Sequence, residues 1–241
     1  MGEYEQMTQP VPQDDQKRML AHTAVEFVEP GMVLGLGTGS TVDFFIGELA
    51  RKDFAAYALT IVPTSRGSAE KAEARGLKVV TPTAEAVPDL CIDGADEVSR
   101  DLSMTKGGGG ALLREKIVAR ASRRRVYLAD GAKLVARLGK FPLPVEVVPF
   151  GHQYSEGLLR KLGAEVRLRT DISGTPFETD SGNLIYDCTF SLETDPARLD
   201  TDLSAIPGVV TSGLFIGYID SLLTIFDGKV VSVSNPAEVF W

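Results

Sequence analysis

Two cysteines, two histidines and a single tryptophan are all that 241 residues contain of those types. Cys91 and Cys188 lie far apart, each inside an apolar run, which excludes a disulfide-dense scaffold and reads as two reduced core thiols in a cytosolic protein. His22 and His152 are isolated, with no cysteine or carboxylate cluster at ligand spacing, so no metal site is expected. Positive charge is also scarce. Lys and Arg number 25 against 33 Asp and Glu, and the net charge of −8 argues against nucleic acid as a partner, because phosphate backbones are held by surplus cations. A local basic site for a small anion remains compatible with an acidic whole. Nor is there an apolar run near the ~18 residues of a membrane span. The opening "MGEYEQMTQPVPQDDQ" has no apolar signal region. The expectation is a soluble, cytoplasmic protein with no membrane partner.

What the chain does have is a regular alternation. After a polar tail at residues 1 to about 13, a helix pattern runs through "QKRMLAHTAVEFV" to Pro30-Gly31. Short apolar strands follow: "MVLGLG", "LTIVPT", "KVVT", "LCIDG" and "VYLAD". Between them lie the amphipathic segments "TVDFFIGELARK", "SAEKAEARG" and "GALLREKIVARAS". Alternating strands and helices indicate a parallel sheet covered by helices, the doubly wound, Rossmann-like α/β class. The texture changes at "GKFPLPVEVVPF", with three prolines within eight residues. From there the order is strand, helix, strand, strand, helix, strand, ending in "GVVTSGLF", the β-α-β-β-α-β pattern of a smaller ferredoxin-like α+β domain. "LLTIFDG" and "KVVSVS" then read as a hairpin around Asp227-Gly228 returning to the first domain. The expected division is 1–138, 139–211 and 212–241.

In open α/β sheets, ligands bind beyond the carboxyl ends of the strands. Four strand ends carry polar or glycine-rich cargo: "GLGTGST" (35–41), "PTS" (63–65), "DGADE" (93–97) and "ADGAK" (129–133). "GLGTGST" fails the dinucleotide fingerprint, since Ser40 stands where the third glycine belongs, and no Gly-Lys-Ser/Thr makes it a P-loop. It leaves a helix start with hydroxyls at Thr38, Ser40 and Thr41 around Gly39. That suits a single phosphate or, equally, a tight turn capped by Ser40 or Thr41. In "DGADE", Asp93 and Asp96 crowd together around Gly94 and Ala95, and crowded carboxylates can hold a raised pKa. A simple turn with Asp96 or Glu97 capping a neighbouring helix is the alternative.

The densest signal is "TKGGGGALLREK", four consecutive glycines between Lys106 and a helix carrying Glu115. Glycine loses more backbone entropy on folding than any other residue, so Gly107, Gly108, Gly109 and Gly110 together are costly. Bare backbone can press against a ligand and aim amide donors at an oxyanion, with Lys106 adding charge and Glu115 removing a proton. The apolar pattern puts Leu113, Ile117 and Ala121 on the buried stripe of this helix, and Glu115 off it. The alternative is therefore a solvated first-turn acid favoured by the helix dipole. Base, donors and phosphate cradle together suit proton transfer between neighbouring carbons of a sugar phosphate.

"GLGTGST", "DGADE", "KGGGGALLREK", "GKFPLPVEVVP" and "AIPGVVTSGLF", in register from about Lys17 to Phe215, closely resemble the type A ribose-5-phosphate isomerases. The resemblance implies interconversion of D-ribose 5-phosphate and D-ribulose 5-phosphate through a cis-enediolate, with no metal or cofactor, in a homo-oligomer (dimer or tetramer). It implies Glu115 as the proton acceptor. Substrate binding maps to Thr38–Thr41, Asp93–Asp96, Lys106–Gly109 and Lys133, and Lys17 falls near the phosphate. Asp93 is implied in opening the furanose ring. Gly110 and Gly131 depart from the usual residues, and the tail after Phe215 matches less closely. Two rivals remain. A non-catalytic sugar-phosphate sensor would keep the cradle without needing Glu115, and an amino-sugar phosphate deaminase would place a histidine near its acids, which "DGADE" lacks.

Overall fold

The computed structural model describes residues 11–51 and 57–241. The tail expected at residues 1 to about 13 lies, up to residue 10, outside the described residues. The chain then alternates: α1 (Gln13–Ala24), β1 (Val33–Leu36), α2 (Ser40–Leu49), β2 (Thr60–Pro63), α3 (Arg66–Glu73), β3 (Lys78–Val79) and β4 (Leu90–Gly94). After β5 (Glu97–Val98), β6 (Met104–Thr105), α4 (Leu112–Ala121) and β7 (Arg124–Leu128) it leaves for a second unit. That unit comprises β8 (Leu143–Val147), α5 (His152–Lys161), β9 (Glu165–Leu168), β10 (Leu184–Thr189), α6 (Pro196–Ser204) and β11 (Val209–Ser212). The last strands are β12 (Leu214–Phe215), β13 (Ser221–Phe226) and β14 (Lys229–Val233).

Seven strands form the main sheet, in the order β14-β13-β7-β4-β1-β2-β3. All neighbours are parallel except β14, which turns back on β13 as the hairpin expected around Asp227-Gly228. Parallel strands buried on both faces need near-continuous apolar sequence, and β1, β2, β4 and β7 supply it with Leu34, Leu36, Ile61, Leu90, Ile92 and Val126. Leu20 and Ala21 of α1 and Phe45 and Ile46 of α2 pack on them. Each such side chain, fully buried, contributes roughly 1.5–3 kcal/mol. The two free cysteines are both buried, as expected of core thiols.

The second sheet has the order β11-β8-β10-β9 and is antiparallel throughout. With α5 and α6 this is the ferredoxin-like arrangement, closed around its own core of Val145, Val147, Leu159, Tyr186 and Leu203. Asp195 caps α6 by accepting from the Arg198 amide, and Pro196 opens the helix where no amide is needed.

Two expectations change. "GVVTSGLF" does not run as one strand: it breaks at Gly213, so that β11 serves the second sheet and β12 a third, β12-β6-β5. At the break the Gly213 amide donates to the Pro144 carbonyl (2.7 Å) and its carbonyl accepts from the Lys106 amide (2.8 Å). A Cβ on Gly213 would stand 2.3 Å from the Lys106 carbonyl oxygen, so only glycine allows the two segments to touch. The buried stripe of α4 also differs. Leu112, Glu115, Val118 and Ala119 face inward, whereas Leu113 and Ala121 are half-buried and Ile117 is 48% exposed. Val118 packs with Val62 and Cys91, and a Cβ on Gly35 would meet it at 2.8 Å. That close seat turns Glu115 into the protein.

Candidate active site

Three of the four strand ends expected to converge meet at one cavity; the fourth, "PTS", stands outside its lining, with Thr64 and Ser65 on the Thr38 hydroxyl. The next-to-last residue of β4 is Asp93, fully buried, whose Oδ1 accepts from the amides of Thr38 (3.2 Å) and Gly94 (2.7 Å). Directly after β1 comes Gly37, where a Cβ would lie 2.1 Å from Asp93 Oδ1, so the bare backbone makes room for the carboxylate. The two-residue strand β6 delivers Lys106, 3% exposed. Its ammonium lies 2.9 Å from Asp93 Oδ2 and 3.3 Å from Glu115 Oε1, and donates to the Gly94 carbonyl at 2.6 Å. The rings of Tyr127 and Phe215 stand 5.7 and 5.8 Å from the same nitrogen.

Glu115 is 4% exposed. Its Oε2 is buried with no hydrogen-bond partner among the described residues. Burial, with the charges of Asp93 and Asp96, pushes its carboxyl up to about 8 despite Lys106. Asp93 is also pushed up by burial, against the pull of Lys106. Burial opposes the Lys106 ammonium, but Asp93 and Glu115 more than offset this and hold it firmly charged.

These groups floor a cavity of about 130 Å³. Thr38, Gly39, Ser40, Thr41, Gly94, Ala95, Asp96, Lys106, Gly107, Gly108, Gly109, Glu115 and Lys133 all line it, with Lys17 and Gln13 from α1. Asp93 lies beneath the lining and meets the cavity through Lys106. Helix α2 opens into this space with Gly39 as its N-cap and no capping side chain, so the expected cap by Ser40 or Thr41 is absent and the first-turn amides stay uncapped. The Thr38 hydroxyl is committed elsewhere, within 2.7, 2.9 and 3.2 Å of the hydroxyls of Thr64, Ser65 and Ser68. Asp96 accepts from the Gly108 amide at 2.7 Å. Glu97, adjacent in sequence, turns away and accepts from the amides of Gly139 and Phe141, both at 2.8 Å, fixing the passage into the second unit instead of capping a helix. His152, half-buried at the start of α5, hydrogen-bonds the Tyr186 hydroxyl at 2.8 Å in the second unit and is not part of the cavity lining. Among the described residues no His, Cys, Asp and Glu gather in a metal-holding group.

The family model of ribose 5-phosphate isomerase A (phosphoriboisomerase A) matches residues 60–227. The chain belongs to the ribose 5-phosphate isomerase A family. The ribose-5-phosphate isomerase A of Parvibaculum lavamentivorans is 47% identical over 210 residues, covering 85% of this chain and 91% of that one. The Gloeobacter violaceus protein of the same name is 47% identical over 223 residues, covering 92% and 96%. Among solved structures, ribose 5-phosphate isomerase A from Methanocaldococcus jannaschii superposes with a TM-score of 0.87 at 37% identity, over 93% of this chain and 100% of that one. A D-ribose-5-phosphate isomerase in complex with phospho-erythronic acid gives 0.89 at 32% identity, with the same coverage. The phosphoriboisomerase A match spans Asp93, Lys106, Glu115 and Lys133, while Lys17 and residues 38–41 precede it.

Sequence reasoning missed Arg169 of the second unit, whose guanidinium reaches the glycine run and donates to the Gly107 carbonyl at 2.8 Å. No signal in "EVRLRT" separates it from its neighbour Arg167.

Proposed function

We propose that this cavity binds D-ribose 5-phosphate and converts it reversibly to D-ribulose 5-phosphate, an aldose-ketose isomerisation in the non-oxidative branch of the pentose phosphate pathway. The observation that carries the reading is Glu115: a buried carboxylate whose Oε2 has no partner among the described residues, beside a buried ammonium, lining the same cavity as the glycine run. A proton α to a carbonyl is weakly acidic, so a carboxylate removes it only where the oxygen charge is met. Glu115 takes the proton from C2 of the open-chain aldose. Lys106 and the Gly109 amide face the enediolate oxygens, while the Gly108 amide holds Asp96. Glu115 then returns the proton to C1 while the hydroxyl proton passes from O2 to O1, giving the ketose. The uncapped amides of α2, with Ser40, Thr41, Lys17 and Lys133, hold the phosphate. Asp93 keeps Lys106 charged and placed, and the ring-opening role expected of it runs through that ammonium to the sugar, whereas Asp96 faces the sugar directly.

This scheme gives no step to a metal or cofactor. It also explains why a carboxylate stands on the inner face of α4, which a sugar-phosphate sensor would not need. The division at 138/139 and 211/212, a cytoplasmic setting and a homo-oligomer (dimer or tetramer) belong to the same reading. Phe150, Tyr154 and Ile172, at 94%, 69% and 108% exposure, give the ferredoxin-like unit apolar surface for a second copy. The direct test mixes purified protein with ribose 5-phosphate and excess EDTA. Ketose should form at the rate seen without EDTA; no ketose under either condition would refute the isomerase.

A further inference from the structure

We propose that Arg169 is a positioning residue for the isomerisation, setting the direction in which the Gly108 and Gly109 amides point by holding the carbonyl oxygens on the opposite side of the loop. Its Nη1 donates to the carbonyls of Gly107 (2.8 Å) and Gly108 (3.2 Å), while Nε and Nη2 grip Asp187 at 3.1 and 2.5 Å. The planar guanidinium fork suits this double duty, one edge on a carboxylate and one nitrogen across two carbonyls. Side chains of Arg169 and Asp187 are 14% and 12% exposed. The arginine backbone is pinned as well. Its amide donates to the Ile185 carbonyl at 2.8 Å, and its carbonyl accepts from the Phe177 amide at 2.9 Å.

The consequence follows from peptide geometry. In a planar trans peptide the C=O and N–H point in opposite directions. Holding the Gly107 carbonyl toward Arg169 turns the Gly108 amide away, where it meets Asp96 at 2.7 Å. Holding the Gly108 carbonyl the same way turns the Gly109 amide toward the cavity that Gly109 lines. That amide has no hydrogen-bond partner among the described residues. Within the run only the Gly107 carbonyl is held locally, accepting from the Gly110 amide at 2.9 Å; the Gly108 carbonyl has Arg169 alone among the described residues, and glycine visits conformations closed to other residues. A flipped plane would present a carbonyl to the developing oxyanion in place of a donor. Phe177 completes the clasp: a Cβ on Gly110 would meet its ring at 2.5 Å, and the Arg169 guanidinium lies 6.0 Å from that ring's centroid. The second unit therefore sets the donor array of the first.

This inference rests on the isomerase reading, and the experiment separates the two. Arg169→Met and Arg169→Lys would be assayed for kcat and KM with ribose 5-phosphate. Inhibition by inorganic phosphate and by phospho-erythronic acid, whose carboxylate stands in for the enediolate oxygens, would be measured alongside. Removing an oxyanion donor outright costs about 10²–10³ in kcat, and misdirecting one should cost Arg169→Met about 10–100-fold. KM and phosphate inhibition should stay within about threefold, because the lost interaction matters in the transition state. The inhibition constant of phospho-erythronic acid should rise in step with the loss in kcat/KM, and Arg169→Lys should recover part of both. If Arg169→Met does not fold, Asp187→Asn carries the test with the same split at smaller size. A kcat within about twofold of wild type, or a rise in KM and in the phosphate constant at unchanged kcat, would overturn the proposal. A wild-type protein inactive on ribose 5-phosphate would instead sink the isomerase reading itself.

Discussion

Lys106 is one cation between two carboxylates, and the imbalance decides what the site can do. Two anions and one ammonium out of reach of water hold protons more tightly than isolated carboxyls. Glu115, pushed up to about 8 by burial and by its acidic neighbours, is poised near working pH for proton transfer. The free enzyme's kcat/KM should thus rise with pH through that region as Glu115 ionises. Asp96→Asn removes a like charge and should move this limb to lower pH; an unmoved limb would detach Asp96 from Glu115. The stability sign runs opposite to activity. A carboxyl whose folded pKa lies above its unfolded value binds more protons when folded, so its contribution falls as pH rises from about 4.5 to about 8. Glu115→Gln should gain melting temperature relative to wild type across that window, and equal pH dependence of the two would contradict it. The proposed phosphate site gives Lys133 one charge-assisted hydrogen bond, and Lys133→Ala should then cost roughly 1.5–3 kcal/mol of binding. KM and inhibition by inorganic phosphate should weaken together, and no change in either would remove Lys133 from the site. Glu115, Lys106 and Lys133 were legible because each sits beside a strand end or a glycine run. The burial of Glu115 was not, since the apolar residues of α4 fit either of two stripes and no local rule puts a charge on the inner one.

Elements bring these residues together through close contacts that tolerate no added atoms. Gly37, directly after β1, lets Asp93 sit against the backbone, and an alanine there would place its Cβ 2.1 Å from the carboxylate oxygen. Gly37→Ala should cost about 1–3 kcal/mol by overpacking and displace Asp93 and with it Lys106. Activity should fall at least about tenfold, the equivalent of 1.4 kcal/mol, in protein that still melts cooperatively; full activity would show that the Asp93 seat is dispensable. Strands such as β1, β4 and β7 were readable from their apolar runs. The third sheet was not: β5 and β6 are two residues each, too short for any periodicity, and they exist because β12 arrives from the far side of Gly213 to pair with β6. That sheet nonetheless aims Lys106. Lys116 ties α4 to the same crossing, donating to the Ser212 carbonyl at 2.8 Å and lying 4.8 Å from the Phe215 ring centroid.

Across the whole molecule, the candidate site draws on all three sheets: Asp93 stands on the main sheet, Lys106 follows β6 of the third, and Arg169 reaches the glycine run from beside the second. Order of elements revealed both layers, because helix and strand periodicities survive any packing. How the second layer presses Arg169 and Phe177 onto the glycine run depends on contacts between residues some 60 positions apart, which no local pattern encodes. The same layer carries the exposed Phe150, Tyr154 and Ile172. A second copy packed there, as proposed, should appear in sedimentation at micromolar concentration as a species heavier than the 25.9 kDa chain. A monomer under those conditions would refute the oligomer, and replacing Phe150 and Tyr154 with serine should shift the equilibrium toward one.

The account turns on Glu115 moving a proton between C2 and C1, and solvent deuterium reports that step directly. Wild-type protein and Glu115→Gln would be incubated with ribose 5-phosphate in deuterated water, and label read at the exchanging carbon. Glutamine keeps the shape and removes the basicity, so substrate should still bind while incorporation drops by at least about 10²-fold, the lower range for loss of a general base. Incorporation by Glu115→Gln at near the wild-type rate would contradict the central claim and pass the role of base to Asp96 or Asp93.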